Sequence, residues 1–436
     1  MCILALFYGG CMSTIIECLR ERGLVDALTS SELEERVKKP ITLYLGFDPT
    51  ADSLHLGHWL GIVIMVWFQR YGHSPVVILG GATGRVGDPS GKSSERPFLS
   101  DTEIASNVEA LRKQFQRAFS FDQGPSSARL IDNHDWLGKF TFLEFLRDVG
   151  KHFRVGAMLA KESVRARIES EEGISFTEFS YQILQAYDFY HLHKHFGVEL
   201  QLGGSDQWGN ITAGLDLIRK LDGRMAYGLT FPLLTRSDGK KFGKSEGGAV
   251  WLDPLKFSPY QLYQYLIAIP DTDVIKMLKM LTFVSLSEIA DLEKSMAAST
   301  YVPNTAQKKL AEELTRLIHG ETGVEKALRV TAMASPGFET ELKAEILKEM
   351  LADLPHITRS KHAIIDAKVV DLFVEVGLTS SKAEAHRLIQ GSGAYLNNQK
   401  IDDPHRKLSS LDIIEGAFIL LAVGKKKKGI IEVKDF

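Results

Sequence analysis

Alternation between short apolar runs and helical segments, from about residue 41 to residue 230, is the feature that most constrains this fold. Four of the runs predict strands, because they are apolar and end at glycine or polar residues. Strands separated by helices predict a parallel, doubly wound sheet. Ligands of such a sheet bind at the carboxyl ends of its strands. The predicted strands cover residues 41–45, 75–79, 128–132 and 198–202.

The first predicted strand leads into the segment 44–58, YLGFDPTADSLHLGH. Turn-forming residues break the extended pattern, and apolar residues at helical spacing follow from Leu56. His55 and His58 therefore stand where a strand becomes a helix, and free backbone N–H groups at such a position favour phosphate. Gly57 has no side chain, so a nucleotide ring can lie close to the backbone. The alternative is that the two histidines only cap the helix.

A polar stripe interrupts the predicted helix 176–192. Tyr181, Gln185 and Asp188 follow the spacing i, i+4, i+7, so they share one face among apolar neighbours. A phenol, an amide and a carboxylate on one stripe suit a ligand that carries an ammonium and a hydroxyl group. The alternative is an internal hydrogen-bond network. The histidines at 191, 193 and 195 favour a solvated face over a metal site, because the middle one faces away from the others.

Three glycine-rich loops follow the predicted strands or lie beyond them. The segment 87–93, GDPSGKS, lacks the first glycine of a P-loop, but it offers the charged side chains of Asp88, Lys92 and, just beyond it, Arg96. In the segment 203–210, GGSDQWGN, Asp206 and Gln207 can hydrogen-bond ribose or substrate hydroxyls. The lysine-rich segment 237–248 can close over phosphates and neutralise a pyrophosphate leaving group. Exposed surface loops are the alternative reading for the first and the last of these segments.

Composition limits the class of protein. The 436 residues predict two or three domains, and the formal net charge of −3 requires any nucleic-acid surface to be a local patch. The three cysteines lie at positions 2, 11 and 18, which offers neither a disulfide framework nor a metal site and suits the reducing cytoplasm. No apolar run reaches the length that spans a bilayer.

The first eleven residues resemble neither a secretory signal nor an organelle transit peptide. A plausible amphipathic helix follows Met12, with Ser13 as its predicted N-cap. We expect Met12 to be the natural start and residues 1–11 to be an upstream extension.

Two of these segments resemble the signatures of class I aminoacyl-tRNA synthetases. HLGH at 55–58 resembles the HIGH signature, and KFGKS at 241–245 resembles the KMSKS signature, from which it departs at Phe242 and Gly243. Together with YLGFDPTADSLHLGH, GGATGRVGDPSGK, SYQILQAYDF and GGSDQWGN, they make the chain similar to the bacterial tyrosyl-tRNA synthetases from about Met12 onward. The resemblance implies a Rossmann-like α/β catalytic domain.

The resemblance also implies roles for individual residues. The phenolic hydroxyl of tyrosine would meet Tyr44 and Asp188, and its ammonium group would meet Asp88, Tyr181 and Gln185, with Gln207 nearby. ATP phosphates and the transition state would meet Thr50, His55 and His58. The nucleotide site would further include Gly46, Asp48, Gly57, Gly204, Asp206 and Lys244. The pyrophosphate would be gripped by mobile-loop residues, namely Lys92, Arg96, Lys241, Lys244 and Ser245.

The C-terminal half divides further. The implied domains are a catalytic domain at 12–235, a KFGKS loop region at 236–255, a helical anticodon-side domain at 256–350, a linker at 351–365 and a small α+β RNA-binding domain at 366–436. The last resembles an RNA-binding module of a ribosomal small-subunit protein, although His386 and Ser392 depart from its pattern. Its expected RNA contacts are Lys382, His386, Arg387, Lys425 and Lys426.

The expected activity is ligation of tyrosine to its tRNA with ATP as a substrate. Magnesium would accompany the ATP phosphates without protein ligands, and the protein would be a cytoplasmic homodimer that binds tRNA(Tyr). Substrate carboxylate attacks the α-phosphate in this reaction, so catalysis needs positioning and charge stabilisation rather than a protein nucleophile. The alternatives are a tryptophanyl-type synthetase, a non-catalytic RNA-binding relative and an adenylyltransferase that shares only the HxGH helix.

Overall fold

The structure is a computed structural model that describes residues 14–92, 95, 98–122, 124–235, 237, 239, 242–245, 248–333, 342–351, 354–424 and 427–434. The chain forms two compact units. Unit 1 runs to Lys256 and includes Ile267–Ile318, and unit 2 comprises Phe257–Leu266 and His319–Phe436. No helix in the described part of the chain is long and apolar enough to cross a membrane.

Unit 1 is an α/β unit around a six-stranded sheet. Its strands, including a separate two-stranded pair β7 and β8, are β1 Ala27–Leu28, β2 Thr42–Phe47, β3 Ser74–Leu79, β4 Arg129–Asp132, β5 Val198–Gly204, β6 Tyr227–Phe231, β7 Lys244–Ser245 and β8 Gly248–Ala249. Its helices up to the sheet's last strand are α1 Ile15–Glu21, α2 Glu32–Arg36, α3 Leu56–Arg70, α4 Asp101–Ala118, α5 His134–Leu137, α6 Phe142–Asp148, α7 Val155–Leu159, α8 Glu162–Ile168, α9 Phe176–Phe196 and α10 Trp208–Asp222.

The strand order β1-β6-β5-β2-β3-β4 confirms the parallel, doubly wound sheet. All neighbouring strands are parallel except the short edge strand β1, which pairs antiparallel with β6. From β2 the chain continues outward through β3 and β4, and then returns to β5 on the other side of β2. The order therefore reverses between β2 and β5, which is where doubly wound sheets bind ligands.

Helices dominate the middle of the chain, as the apolar spacing predicts. They are α11 Pro259–Ile267, α12 Asp271–Leu281, α13 Leu286–Met296, α14 Thr305–Met333 and α15 Ala344–Leu351. Within α14 the backbone leaves the helical conformation at Gly320, whose φ of 75° only glycine adopts readily.

The rest of unit 2 is an α+β module. Its elements are β9 His356–Ser360, α16 Lys361–Ile364, α17 Val369–Glu375, α18 Lys382–Gln390, β10 Ala394–Leu396, β11 Gln399–Lys400, β12 Phe418–Val423 and β13 Lys427–Lys434. The strands form one sheet in the order β11-β10-β12-β13-β9, and its apolar face packs against α17 and α18. Asn397 and Asn398 close the β10–β11 hairpin, and both have the positive φ that a tight two-residue turn requires.

Two local predictions need correction. The candidate linker contains β9, which pairs in parallel with β13 and completes the C-terminal sheet. Its alternating residues resemble an exposed loop locally, and only the distant partner strand makes them a strand. At the N-terminus, Thr14 rather than Ser13 is the N-cap of α1. Its hydroxyl accepts a hydrogen bond from Glu17 N, and the Glu17 carboxylate accepts one from Thr14 N.

Candidate active site

A cavity of about 460 Å³ opens in unit 1 at the point where the strand order reverses. Strand β2 contributes Tyr44, β5 contributes Gln201 and the N-terminal half of α9 contributes Tyr181 and Gln185. Most of the predicted site residues line this one cavity, namely Tyr44, Gly46, Asp48, Thr50, His55, Gly57, His58, Asp88, Lys92, Tyr181, Gln185, Asp188, Gly204, Asp206 and Gln207.

The remaining predicted residues fall elsewhere. Arg96, Lys241, Lys425 and Lys426 lie outside the described residues. The backbone of Lys244 and Ser245 forms β7, and the structure describes nothing of their side chains. Lys382, His386 and Arg387 lie on α18 of unit 2.

Asp188 and Tyr44 form the deep end of the cavity. The Asp188 carboxylate accepts hydrogen bonds from Asn133 Nδ2 at 2.9 Å and from Trp136 Nε1 at 2.7 Å. Burial raises the pKa of Asp188 to about 8, although both donors act in the opposite direction. The Tyr44 hydroxyl is buried and has no hydrogen-bond partner among the described residues, and burial together with the Asp188 charge raises the pKa of this phenol. A buried hydroxyl without a partner is costly, so this end of the cavity suits a polar ligand atom.

A network of amides and carboxylates forms a second part of the cavity. Asp88 accepts a hydrogen bond from Gln207 Nε2 at 2.7 Å, and Gln185 Nε2 donates to Gln207 Oε1 at 3.2 Å. Asn210 Nδ2 lies within hydrogen-bond distance of Asp88, Gln185 and Gln207. Tyr181 donates its hydroxyl to Asp48 Oδ2 at 2.8 Å. The internal hydrogen-bond network is therefore present, and the same groups line the cavity, so ligand binding by the polar stripe stays a prediction.

The HLGH segment lies at the start of α3, as predicted. His55 is the N-cap, its Nδ1 accepts from Gly57 N at 3.1 Å, and His58 Nδ1 accepts from His55 N at 3.2 Å. The two rings stack at 3.7 Å between centroids. Leu56 N donates to Val250 O at 2.8 Å, and His58 N donates to His55 O. The expectation of free N–H groups is therefore wrong for these four residues, and the imidazole rings are what the segment presents to the cavity.

The KFGKS segment packs against the HLGH segment within unit 1. Phe242 is buried, and its N–H donates to Leu234 O at 3.0 Å. Gly243 has a φ of 84°, and a Cβ atom at this position would lie 3.3 Å from Gly57 N. The Gly243 carbonyl accepts from Val250 N at 2.8 Å. The two departures from KMSKS are thus the residues that dock the segment.

Several site residues escape the sequence reasoning. Asn133 and Trp136 follow β4 in the segment NHDW, which carries no signature, and Asn210 lies one turn into α10. Gln201 interrupts the buried run of β5, and its buried Oε1 has no hydrogen-bond partner. A polar residue in a buried strand was the available signal for Gln201.

The histidine tract differs from the predicted solvated face. His193 is buried, with Nδ1 2.7 Å from Val198 O, and His191 stacks on Trp136. Among the described residues, no group of three or more potential ligands could hold a metal ion. The polarity of histidine suggests solvent, but its flat ring also packs well against aromatic neighbours.

Comparison with known proteins agrees with this geometry. Residues 35–334 match the family model of class I tRNA synthetases (W and Y), and residues 345–431 match the model of the SYY-like C-terminal domain of tyrosine–tRNA ligases. The tyrosine–tRNA ligase of Protochlamydia amoebophila is 52% identical over 424 residues, which cover 97% of this chain and 100% of that protein. The chloroplastic/mitochondrial tyrosine–tRNA ligase of Arabidopsis thaliana is 49% identical over 96% of this chain and 83% of its own length.

Solved structures lead to the same group. A C-terminally truncated mitochondrial tyrosyl-tRNA synthetase from Aspergillus nidulans superposes with a TM-score of 0.63 at 32% identity, and covers 72% of this chain and 92% of its own. A tryptophanyl-tRNA synthetase from Encephalitozoon cuniculi is 13% identical with a TM-score of 0.52, which is a likeness of fold alone. The cavity, the paired signatures and the full-length identity converge, and the chain belongs to the class I tRNA synthetases, within the tyrosine–tRNA ligases.

Proposed function

We propose that the cavity of unit 1 binds tyrosine and ATP and joins them to form tyrosyl-adenylate and pyrophosphate. The tyrosyl group then passes to the 3′-terminal adenosine of tRNA(Tyr). The observation that carries this proposal is the buried Tyr44 hydroxyl without a partner, beside Asp188 at the deep end of the cavity. A phenol that enters there gives the Tyr44 hydroxyl a partner and meets the Asp188 carboxyl group.

The selectivity of this site for tyrosine follows from the same atoms. Phenylalanine leaves Tyr44 and Asp188 without the ligand hydroxyl, and sites of this kind reject the analogue by about 10⁴- to 10⁵-fold, for which tyrosyl-tRNA synthetases are themselves the standard example. Tryptophan is the competing substrate. Its indole N–H lies at a different position on the side chain from the tyrosine hydroxyl, so it does not match the Asp188 carboxyl group that we assign to a phenol.

The ammonium group of tyrosine is assigned to the network around Asp88. Asp88, Tyr181 and Gln185 surround it, with Gln207 beside them, and the carboxylate of Asp88 supplies the counter-charge. Binding would replace some of the hydrogen bonds that these side chains now make with one another. This exchange costs little, because each polar atom passes from one partner to another.

ATP is assigned to the part of the cavity near the two signatures. Thr50, His55 and His58 would contact the phosphates, and the adenosine would lie along Gly46, Asp48, Gly57, Gly204 and Asp206. The cationic loops would close on the pyrophosphate through Lys92, Arg96, Lys241, Lys244 and Ser245 and stabilise its charge. We propose that Mg²⁺ enters with the ATP phosphates and takes no protein ligand.

Recognition of tRNA is assigned to the C-terminal module. Helix α18 begins at Lys382, after the Ser381 N-cap, and carries His386 and Arg387. Lys425 and Lys426 extend the cationic set in the sequence. We retain the domain boundaries 12–235, 236–255, 256–350, 351–365 and 366–436 as a functional division, with β9 now assigned to the C-terminal sheet, and retain the cytoplasmic location as a prediction.

A homodimer is proposed from an apolar surface of unit 1. Helix α6 has no buried residue, and Phe142 and Leu143 are 65% and 75% exposed. Val155 and Phe176 extend the exposed apolar set along the same part of the chain. We propose that these exposed apolar side chains contribute to an interface with a second copy of the chain. Sedimentation of the wild type and of Phe176→Asp tests this, since only the wild type should sediment as a dimer.

The experiment that tests the proposed function is ATP–pyrophosphate exchange with each amino acid in turn. Exchange that depends on tyrosine, and not on phenylalanine or tryptophan, is the expected result. Exchange with tryptophan would keep the fold and replace the substrate. A folded protein without exchange for any amino acid would instead support a non-catalytic RNA-binding relative.

A further inference from the structure

The carboxylate that faces the deep end of the cavity depends on Trp136. Asp188 accepts a 2.7 Å hydrogen bond from Trp136 Nε1, which fixes one carboxylate oxygen and leaves the indole ring to be held by its own neighbours. Trp136 lies on the short helix α5, and four residues of helix hold an indole weakly by themselves. Something outside α5 must therefore keep the indole N–H directed at Asp188.

The ring of His191 fulfils this requirement. It stacks on the indole of Trp136 with 4.4 Å between centroids and an interplanar angle of 12°. Since His191 lies three residues after Asp188 on α9, the same helix face accepts the edge of the indole and covers its plane. Burial lowers the pKa of His191 to about 4, so the ring is neutral at neutral pH.

The two stacked rings also border a second cavity. A second cavity of about 540 Å³ is lined by Trp136, His191, His195 and Tyr187, among other residues. His195 and Tyr187 contact His191, with centroids at 4.5 and 6.2 Å. Trp136 is buried in an apolar cluster with Leu137 and Phe189, and removal of the His191 ring would enlarge the space beside the indole and let it tilt within that cluster.

We propose that His191 is a positioning residue for recognition of the substrate phenol, which it serves by pinning the Trp136 indole on Asp188. The proposal rests on the assignment of Asp188 to the tyrosine hydroxyl. Stacked aromatic pairs contribute enough that loss of the ring corresponds to about two- to tenfold in an equilibrium. We expect the effect on tyrosine binding, because Trp136 contacts Asp188, the residue assigned to the tyrosine hydroxyl.

The first test compares His191→Ala, His191→Phe and the control Lys194→Ala in ATP–pyrophosphate exchange. Lys194 lies on the same helix but contacts Tyr190. We expect His191→Ala to lower kcat/KM for tyrosine about two- to tenfold and to lower the preference over phenylalanine, with the KM for ATP unchanged. His191→Phe should restore both values. An unchanged tyrosine preference, or an equal loss for tyrosine and ATP, overturns the proposal.

The second test needs no activity and so separates this proposal from the proposed function. The chain has five tryptophans, so ¹⁵N-indole spectra contain few signals, and Trp136→Phe assigns the relevant one. In His191→Ala the Trp136 indole N–H signal should shift and exchange faster with solvent, and in His191→Phe it should stay near the wild-type position. A Trp136 signal that is identical in all three proteins overturns the proposal, whatever the enzyme assay gives.

Discussion

The Tyr44 hydroxyl is buried and has no hydrogen-bond partner in the part of the chain that the structure describes. An unsatisfied buried hydroxyl costs about 1–3 kcal/mol, so Tyr44→Phe should not lower the melting temperature without ligand. Saturating tyrosine should raise the melting temperature of the variant less than that of the wild type. Thermal melts of both proteins, with and without tyrosine, check this. A variant that is clearly less stable without ligand would contradict the assignment.

Asp188 predicts a dependence of stability on pH. Its pKa rises from 3.8 to about 8 on folding, so the folded state favours the protonated form. The stability that this group contributes is complete below pH 3.8 and is lost as the pH rises through about 8. Asp188→Asn cannot titrate, so its melting temperature should fall less than that of the wild type between pH 5 and pH 8. A melting temperature that changes with pH by the same amount in both proteins would contradict this and show that Asp188 stays ionised.

At the residue scale, the sequence predicts which side chains lie together on one helix or strand. Tyr181, Gln185 and Asp188 share a face because helical geometry requires it, and their place in the cavity followed from that spacing. The partners of Asp188 could not be predicted in this way. Asn133 and Trp136 reach it from another element, and the distance between two elements is set by packing that no local pattern encodes.

At the element scale, the docking of the KFGKS segment depends on one glycine. Gly243→Ser, which restores the common third residue of the signature, should lower the exchange rate. The new Cβ would lie 3.3 Å from Gly57 N in a backbone conformation that strains any other residue. Gly239→Ser is the matched control, because Gly239 has a φ of 79° but no atom within 4 Å of its Cβ position. Equal exchange rates in the two variants would contradict the prediction, because they would show that catalysis does not depend on the docking of the KFGKS segment.

A buried ion pair joins α8 to α9. Arg167 and Glu178 are 2.7 Å apart and their side chains are 3% and 1% exposed. Glu178→Gln or Arg167→Met alone should cost about 3–5 kcal/mol, since each leaves a buried charge without its partner. Replacing both residues together should cost less than the sum of the two single substitutions. The exposed pair Arg147–Asp148 is the control, and its loss should destabilise the protein far less because solvent screens the two charges. Urea unfolding of all variants measures the difference.

Helices and strands could be predicted where their own sequence pattern determines the secondary structure. They were harder to predict where pairing with a distant strand determines it. The four strand runs correspond to β2, β3, β4 and β5, and helix 176–192 corresponds to α9, which ends at Gly197 with a φ of 67°. The local pattern of β9 predicts a linker, because its five residues become a strand only through pairing with β13. The two-residue edge strand β1 likewise depends on β6.

At the scale of the whole molecule, we propose that unit 1 activates tyrosine and that unit 2 contributes to tRNA binding. Lys382→Gln combined with Arg387→Gln should weaken tRNA charging and leave tyrosine-dependent exchange unchanged, because both residues lie on α18 of unit 2. The dependence of charging on salt should fall by about one counterion per lost phosphate contact. Lys361→Gln makes the same charge change on α16. A loss of exchange in the double variant would contradict this division.

The overall architecture was predictable because alternation of strands and helices permits few topologies. The site was predictable because doubly wound sheets bind ligands where the strand order reverses, and the HLGH segment follows β2, next to that point. The sequence could not predict that residues 257–266 join unit 2 while 267–318 join unit 1. This division of the chain between the two units depends on contacts between segments that are far apart in the sequence.

The central claim is that unit 1 selects tyrosine through the phenol contacts of Tyr44 and Asp188. The most direct test is the ratio of kcat/KM for tyrosine to that for phenylalanine in ATP–pyrophosphate exchange, measured for the wild type and for Tyr44→Phe. We expect a large ratio in the wild type and a fall of about tenfold in the variant, with kcat/KM for phenylalanine unchanged or raised. The same ratio in both proteins would contradict it.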